Sequence, residues 1–168
     1  MRLAAVLSAV IPTMLVAASA IAAEPSAEAK AKADPQLKRL FDELKYEYEV
    51  DEDGDYKLVF AVDDKDKRSQ LVFVRSPVET FGKHRVREVW SPGYKSATPE
   101  FPAKVANRLL EASDDSKLGA WVKQNEYAVF VVKIAADAGK DELDDAITAA
   151  MLSADEMEAE LSPGKDDL

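Results

Sequence analysis

The run Tyr127-Ala128-Val129-Phe130-Val131-Val132-Lys133-Ile134 leaves this chain few architectures. Its β-branched residues lose side-chain freedom in a helix, and its unbroken apolar character exceeds what a strand with one wet face carries. A strand buried on both faces and central in a sheet accommodates both properties. Gly119 to Lys123 reads as its neighbour, joined to it through Gln124-Asn125-Glu126.

Upstream the pattern has period two. Tyr46, Tyr48 and Val50 alternate with charges, as do Tyr56, Leu58, Phe60 and Val62. Between them Asp51-Glu52-Asp53-Gly54-Asp55 signals a hairpin, because glycine enters positive φ without a Cβ clash. Asp63-Asp64-Lys65-Asp66-Lys67-Arg68 is a second charged turn, leading to a strand at Gln70 to Val74. Ser76 to Pro99 is less regular, with an edge strand expected at Val86 to Trp90 and a turn at Pro92-Gly93.

Helical signals frame these strands. Asp34-Pro35 supplies a cap and a first-turn proline, and Leu37, Leu40, Phe41 and Leu44 follow on one helical face. Thr98-Pro99-Glu100 predicts a second helix start, with Val105, Ala106, Leu109, Leu110 and Ala112 as its stripe. A third begins at Lys140-Asp141 and carries Leu143, Ile147, Ala150, Met151, Ala154, Met157 and Leu161 before Ser162-Pro163-Gly164 stops it. The expected order is α-β-β-β-β-α-β-β-α: an α+β class, with an antiparallel sheet and flanking helices.

The chain opens with an address. After Met1 and Arg2, Leu3 to Ala23 contains no charge, and its apolar centre ends in Ala18-Ser19-Ala20 and Ala20-Ile21-Ala22, the small-x-small pattern of a signal-peptide cleavage site. Residues 1–22 read as a cleaved signal peptide, 23–33 as a flexible linker of Ala, Lys and Glu, and 34–168 as a single domain. An uncleaved anchor is the competing reading of the leader, weakened by Pro12, Thr13 and its alanine-rich end. Export to a bacterial periplasm or beyond, with no stable membrane insertion after cleavage, is therefore expected. The cysteine count of 0 suits an oxidising compartment.

Composition removes several chemistries. Without cysteine there is no thiol catalysis, thiolate metal site or disulfide framework, and a single histidine cannot build a two-imidazole site. The formal charge of -10 argues against nucleic acid, whose phosphates are met by Lys and Arg, and leaves cationic or apolar partners as the permitted ones. The six glycines are too widely spaced for a phosphate cradle, and no serine lies in a G-x-S-x-G elbow. His84, among Lys83, Arg85 and Arg87, reads as a solvated surface side chain rather than a base. The acids from Asp51 to Asp55 resemble a calcium loop only superficially, because the sixth and twelfth positions hold Tyr56 and Val62 instead of Gly and Glu. A carboxylate pair of the glycosidase kind depends on spacing that sequence does not show. No cofactor and no catalytic residue is expected.

Aromatic residues supply the binding candidates. Tyr46, Tyr48, Trp90, Tyr94, Trp121 and Tyr127 lie on apolar faces, where packing is their ordinary use and a groove for peptide or carbohydrate the functional one. Met157 lies in an acidic stretch with Asp155, Glu156, Glu158 and Glu160, a pairing of adaptable side chain and charge that suits a docking surface.

Ala154-Asp155-Glu156-Met157-Glu158-Ala159-Glu160-Leu161, with Gly164 and Asp167, and Tyr46 to Tyr56 near the start, resemble the YbjN-type family of bacterial sensory transduction regulators. The resemblance spans about Asp34 to Leu168. It implies a type III secretion chaperone-like fold, no enzymatic residues, and a protein-binding module that in some members self-associates, so a homodimer is among its implied partners. The export signal departs from the cytoplasmic setting of familiar members. The expected function is that of an exported, non-enzymatic binder of a protein or peptide segment, with Trp90, Tyr94, Trp121 and Met157 as partner-binding residues, on the sheet face or by strand addition at Val86 to Trp90. A small-ligand or cation binder using the acidic turns around Asp51 and Asp63 is the alternative, and a hydrolase with paired carboxylates a remote one.

Overall fold

A computed structural model describes residues 26–63 and 68–164. The leader at 1–22, the 64–67 portion of the charged turn, and Asp167 lie outside the described residues.

The first helix precedes the domain expected from the sequence. Ser26 caps α1 (Ala27–Lys32) by accepting from the Ala29 N–H at 3.1 Å, and Ala29 is buried. Residues read as a linker are thus in part a helix, lying where a Cβ on Gly54 would come 2.5 Å from Lys32 Cβ. Gly54 has φ +87°, so the Asp-Gly turn needs glycine both for its conformation and for this approach. Next, α2 (Pro35–Leu44) starts as its sequence predicts, with the Asp34 carboxylate accepting from the Gln36 N–H at 2.8 Å. Lys45, in the left-handed region, ends it.

Seven strands follow: β1 (Glu49–Val50), β2 (Tyr56–Asp63), β3 (Arg68–Val74), β4 (Glu79–Phe81), β5 (His84–Lys95), β6 (Ala120–Gln124) and β7 (Tyr127–Ala135). Between β5 and β6 runs α3 (Ala103–Asp115), and α4 (Lys140–Leu161) closes the described chain. The fold is α+β, an antiparallel sheet in the order β1-β2-β3-β5-β7-β6 with β4 paired to β5, and four described helices.

Four expectations are corrected. Pro92-Gly93, read as a turn, lies inside β5 as a bulge, and the strand continues to Lys95. Val86 to Trp90 is not an edge: β5 is central, paired along Val86 to Lys95 with β7 and on its other side with β4 and β3. Strand addition at Val86 to Trp90 is thereby excluded, since both rows of its backbone groups have partners. Tyr46 and Tyr48 precede the strand rather than forming it; they turn inward onto Phe60 and Tyr56, with ring centroids 5.3 and 5.1 Å away. The second helix begins at Ala103 after Pro102, because Ser96 and Thr98 hydroxyls both donate to the Glu100 carbonyl and hold the segment before it in a turn. The element order therefore has an added α1, and β4 as well as β5 in the span from Ser76 to Pro99.

α4 contacts β2, β3, β5 and β7, α3 contacts β6, and α2 contacts α4. The core lies beneath them, formed by Leu58, Val72, Val74, Val89, Phe130 and Val132 from the sheet against Leu143, Ile147, Ala150 and Ala154 from α4. Among the described residues no helix is long and apolar enough to cross a membrane.

Candidate functional site

Strand alternation gives the sheet two faces. On β3 the buried residues are Gln70, Val72 and Val74, which meet the helices, so Leu71 and Phe73 point the other way. The cross-strand partners extend that second face. Val59 pairs with Leu71, Phe73 with Trp90, Trp90 with Val131, Pro92 with Val129, and Val129 with Val122. Tyr127 completes the apolar row. Only at its β6 edge, where Val122 borders Leu109 and Leu110 of α3, does a described helix reach this face; Val129 and Val131 are buried there by their neighbours, outside the cluster that packs on α4.

Trp90 is the centre of this open face. Its indole N–H donates to Glu88 at 2.9 Å, and Glu88 also holds Lys133 at 3.1 Å. The Arg75 guanidinium lies 4.3 Å from the ring centroid, in cation–π contact, while its Nε pairs with Asp55 at 2.7 Å. The indole is thus fixed from both sides. Beside it a shallow cavity of about 400 Å³ is lined by Leu71, Phe73, Pro92, Tyr127 and Val129. It has an aromatic anchor, aliphatic walls and a short polar rim, which suits apolar side chains of a partner.

The other three aromatic or methionine candidates lie across the sheet from Trp90. A register shift between Pro92 and Tyr94 places Tyr94 opposite Ala128 on the helix side, where it packs edge-on against Phe101 at 5.8 Å. Trp121, 9% exposed, meets Phe130 at 5.3 Å, and its ring edge fills the space where a Cβ on Gly93 would be, 2.5 Å away. Met157 is buried in the α4 core. Trp121 and Met157 share the floor of a second cavity, about 320 Å³, between α3 and α4, where Arg108 grips Glu160 through bonds of 2.8 to 3.1 Å.

The acidic turn is used internally. Asp51 accepts from the N–H groups of Asp53 and Asp55 at 3.0 and 2.9 Å, which shapes the hairpin. Asp55 is buried, and that burial pushes its carboxyl above the usual carboxylate range despite the Ser76 N–H and Arg75 that oppose the shift. Among the described residues no three His, Cys, Asp or Glu side chains converge to hold a metal. Among the described residues the two buried acids, Asp55 and Glu158, are associated with opposite ends of the β2–β3 ladder, on the order of 20 Å apart along the strands. They do not form a pair. His84 is exposed at the β4–β5 turn.

Sequence reasoning missed Val59, Leu71, Phe73, Pro92 and Val122 as members of one surface. Their signal was present in Leu71-Val72-Phe73-Val74, where consecutive apolar residues must supply both faces of a sheet. No family model and no curated protein matches this chain.

Proposed function

We propose that this chain is an exported, non-enzymatic module that holds a peptide or protein segment on the open face of its sheet. One observation carries the reading: a continuous apolar surface centred on Trp90 lies outside the helix-covered core, bounded by Val59, Phe73, Val122 and Tyr127. Contiguous apolar surface of this kind, rimmed by polar groups, marks interaction sites. The leader-like segment supports export, and the acid-rich last helix and Asp-Gly hairpin support membership of the YbjN-type group with its chaperone-like fold. Binding is the reading favoured by an aromatic anchor set among aliphatic walls, with its neighbouring carboxylate, Glu88, engaged by the indole N–H and Lys133.

Trp90 itself provides the test. In a Trp121→Phe background it is the only tryptophan, so peptides from envelope proteins, titrated one by one, report contact through its fluorescence. A peptide that shifts this emission and loses at least about 30-fold in affinity on Phe73→Ala, as a central apolar anchor should, supports the reading. Peptides that bind without changing Trp90 emission, or with equal affinity to the variant, contradict it.

A further inference from the structure

The open face continues past the cavity beside Trp90. β5 and β7 run on together, with Glu88 paired to Lys133 and Val86 to Ala135, so alternation puts His84, Val86, Lys133 and Ala135 on the face that carries Trp90 and Val129. At that end lies a second shallow cavity, about 470 Å³, lined by Lys83, His84, Arg85 and Lys133 over Val86. The two cavities share a floor strand: Pro92 and Trp90 line the first, Val86 and His84 the second. From Trp90 to His84 is roughly 20 Å along β5, a distance that an extended segment of about six residues spans.

The two ends differ in chemistry. The first cavity is walled by apolar side chains, whereas the second gathers three permanent positive charges and, among the described residues, one acid in its lining, Asp137. Lys83 and Arg85 are exposed and have no ion-pair partner among the described residues. Lys133 is held by Glu88, which also accepts from the Trp90 indole, so this pair forms the bridge between the two cavities. Glu79, opposite Val86, shares the face but lies outside the lining. Phe81, opposite His84, is 82% exposed, the most exposed large apolar side chain among the described residues, and adds an aromatic rim beside the cations. The formal charge of -10 is unevenly placed: α4, on the other layer, holds eight acids against one lysine.

We infer that the segment held on the open face is apolar at one end and acidic at the other, its apolar side chains seated beside Trp90 and its Asp or Glu carboxylates among Lys83, Arg85 and Lys133. This rests on the binding reading of the open face and specifies its occupant. Net charge alone would favour a cationic partner; the cations lining this end of the groove reverse that preference locally, because a carboxylate there meets Lys and Arg at hydrogen-bonding range while the acids of α4 lie across the sheet. A small anion would fill only the basic cavity, and a purely apolar segment only the other. An extended peptide reaches both along one pair of strands.

Selection of random dodecapeptides, displayed without a free C-terminus, on the mature chain tests this. Selected sequences are expected to carry an apolar cluster with Asp or Glu about six positions away. Lys83→Glu combined with Arg85→Glu alters exposed side chains only, so circular dichroism should be unchanged. That variant should bind the selected peptides at least about tenfold more weakly and select peptides that keep the apolar cluster and lose the acids. Replacing the peptide's acids by amides should cost the wild type a similar factor and the variant nothing further. Apolar peptides without acidic preference, or with Lys or Arg at that spacing, overturn the inference and leave the binding reading of Trp90 standing. Selected peptides that bind folded Phe73→Ala as well as the wild type, or a selection that enriches no sequence, overturn both.

Discussion

Asp34 joins a helix start to the centre of the sheet: one carboxylate oxygen caps α2 at the Gln36 N–H, and the other receives Arg87 from β5. Arg87 is 3% exposed and also donates to the carbonyls of Arg75 and Ser76, so its charge is held by three acceptors in a nearly dry site. Asp34→Ala leaves that guanidinium without its counter-charge. We expect a loss of about 3–5 kcal/mol, well above the roughly 1 kcal/mol of a cap alone, measured by urea unfolding. A loss near 1 kcal/mol would mean that the carbonyls suffice for Arg87.

Arg108–Glu160 is a contrasting ion pair. It is bidentate, yet both partners are exposed, and exposed pairs contribute about 0–1 kcal/mol because water and salt screen them. Glu160→Gln should therefore leave the melting temperature nearly unchanged. A large drop would show that the bridge between α3 and α4 is structurally required.

Gly93 has room for no side chain. A Cβ there would lie 2.5 Å from Trp121 Cη2 and 2.9 Å from the Ala154 carbonyl, so Gly93→Ala must displace the indole or α4. The expected cost is about 1–3 kcal/mol, the usual range for overpacking, with a change in Trp121 fluorescence. Gly82→Ala is a control for added volume, since nothing lies within 4 Å of its Cβ position, although its φ of +60° adds backbone strain.

Tyr46 gives a pH signature. Its burial, and then its hydrogen bond to Asp144, push the phenol up to about 12 from an ordinary value of 10.0. A folded-state value raised above the unfolded one contributes stability that is complete below pH 10 and lost as pH rises toward 12. Between those limits the wild-type melting temperature should fall more steeply than that of Tyr46→Phe. Parallel curves would place the phenol in contact with water.

The starts of α2 and α4 and the Asp-Gly hairpin were legible because their causes are local. Asp34-Pro35 and Asp53-Gly54 specify a cap and a positive-φ turn wherever the rest of the chain goes. The position of β5 was not legible, because whether a strand is central depends on partners distant in sequence, here Tyr127 to Ala135 on one side and Phe73 and Val74 on the other. The bulge at Gly93 hid the site for a similar reason. Trp90 and Tyr94 share a face by simple alternation, and one register shift puts them on opposite faces. Ala29 shows a third limit: its small apolar side chain gives almost no pattern, yet it is fully packed in α1.

The most direct test of the binding surface is site-specific photo-crosslinking in the envelope fraction of the source organism. A photoreactive residue replaces exposed Val59 or half-buried Tyr127 on the open face, or exposed Leu110 and Leu152 on the helix side. The account predicts adducts to one defined protein segment from the open-face positions, lost in a folded Phe73→Ala variant, and none from the helix side. Equal adducts from both sides, or adducts from Leu110 and Leu152 alone, would contradict it.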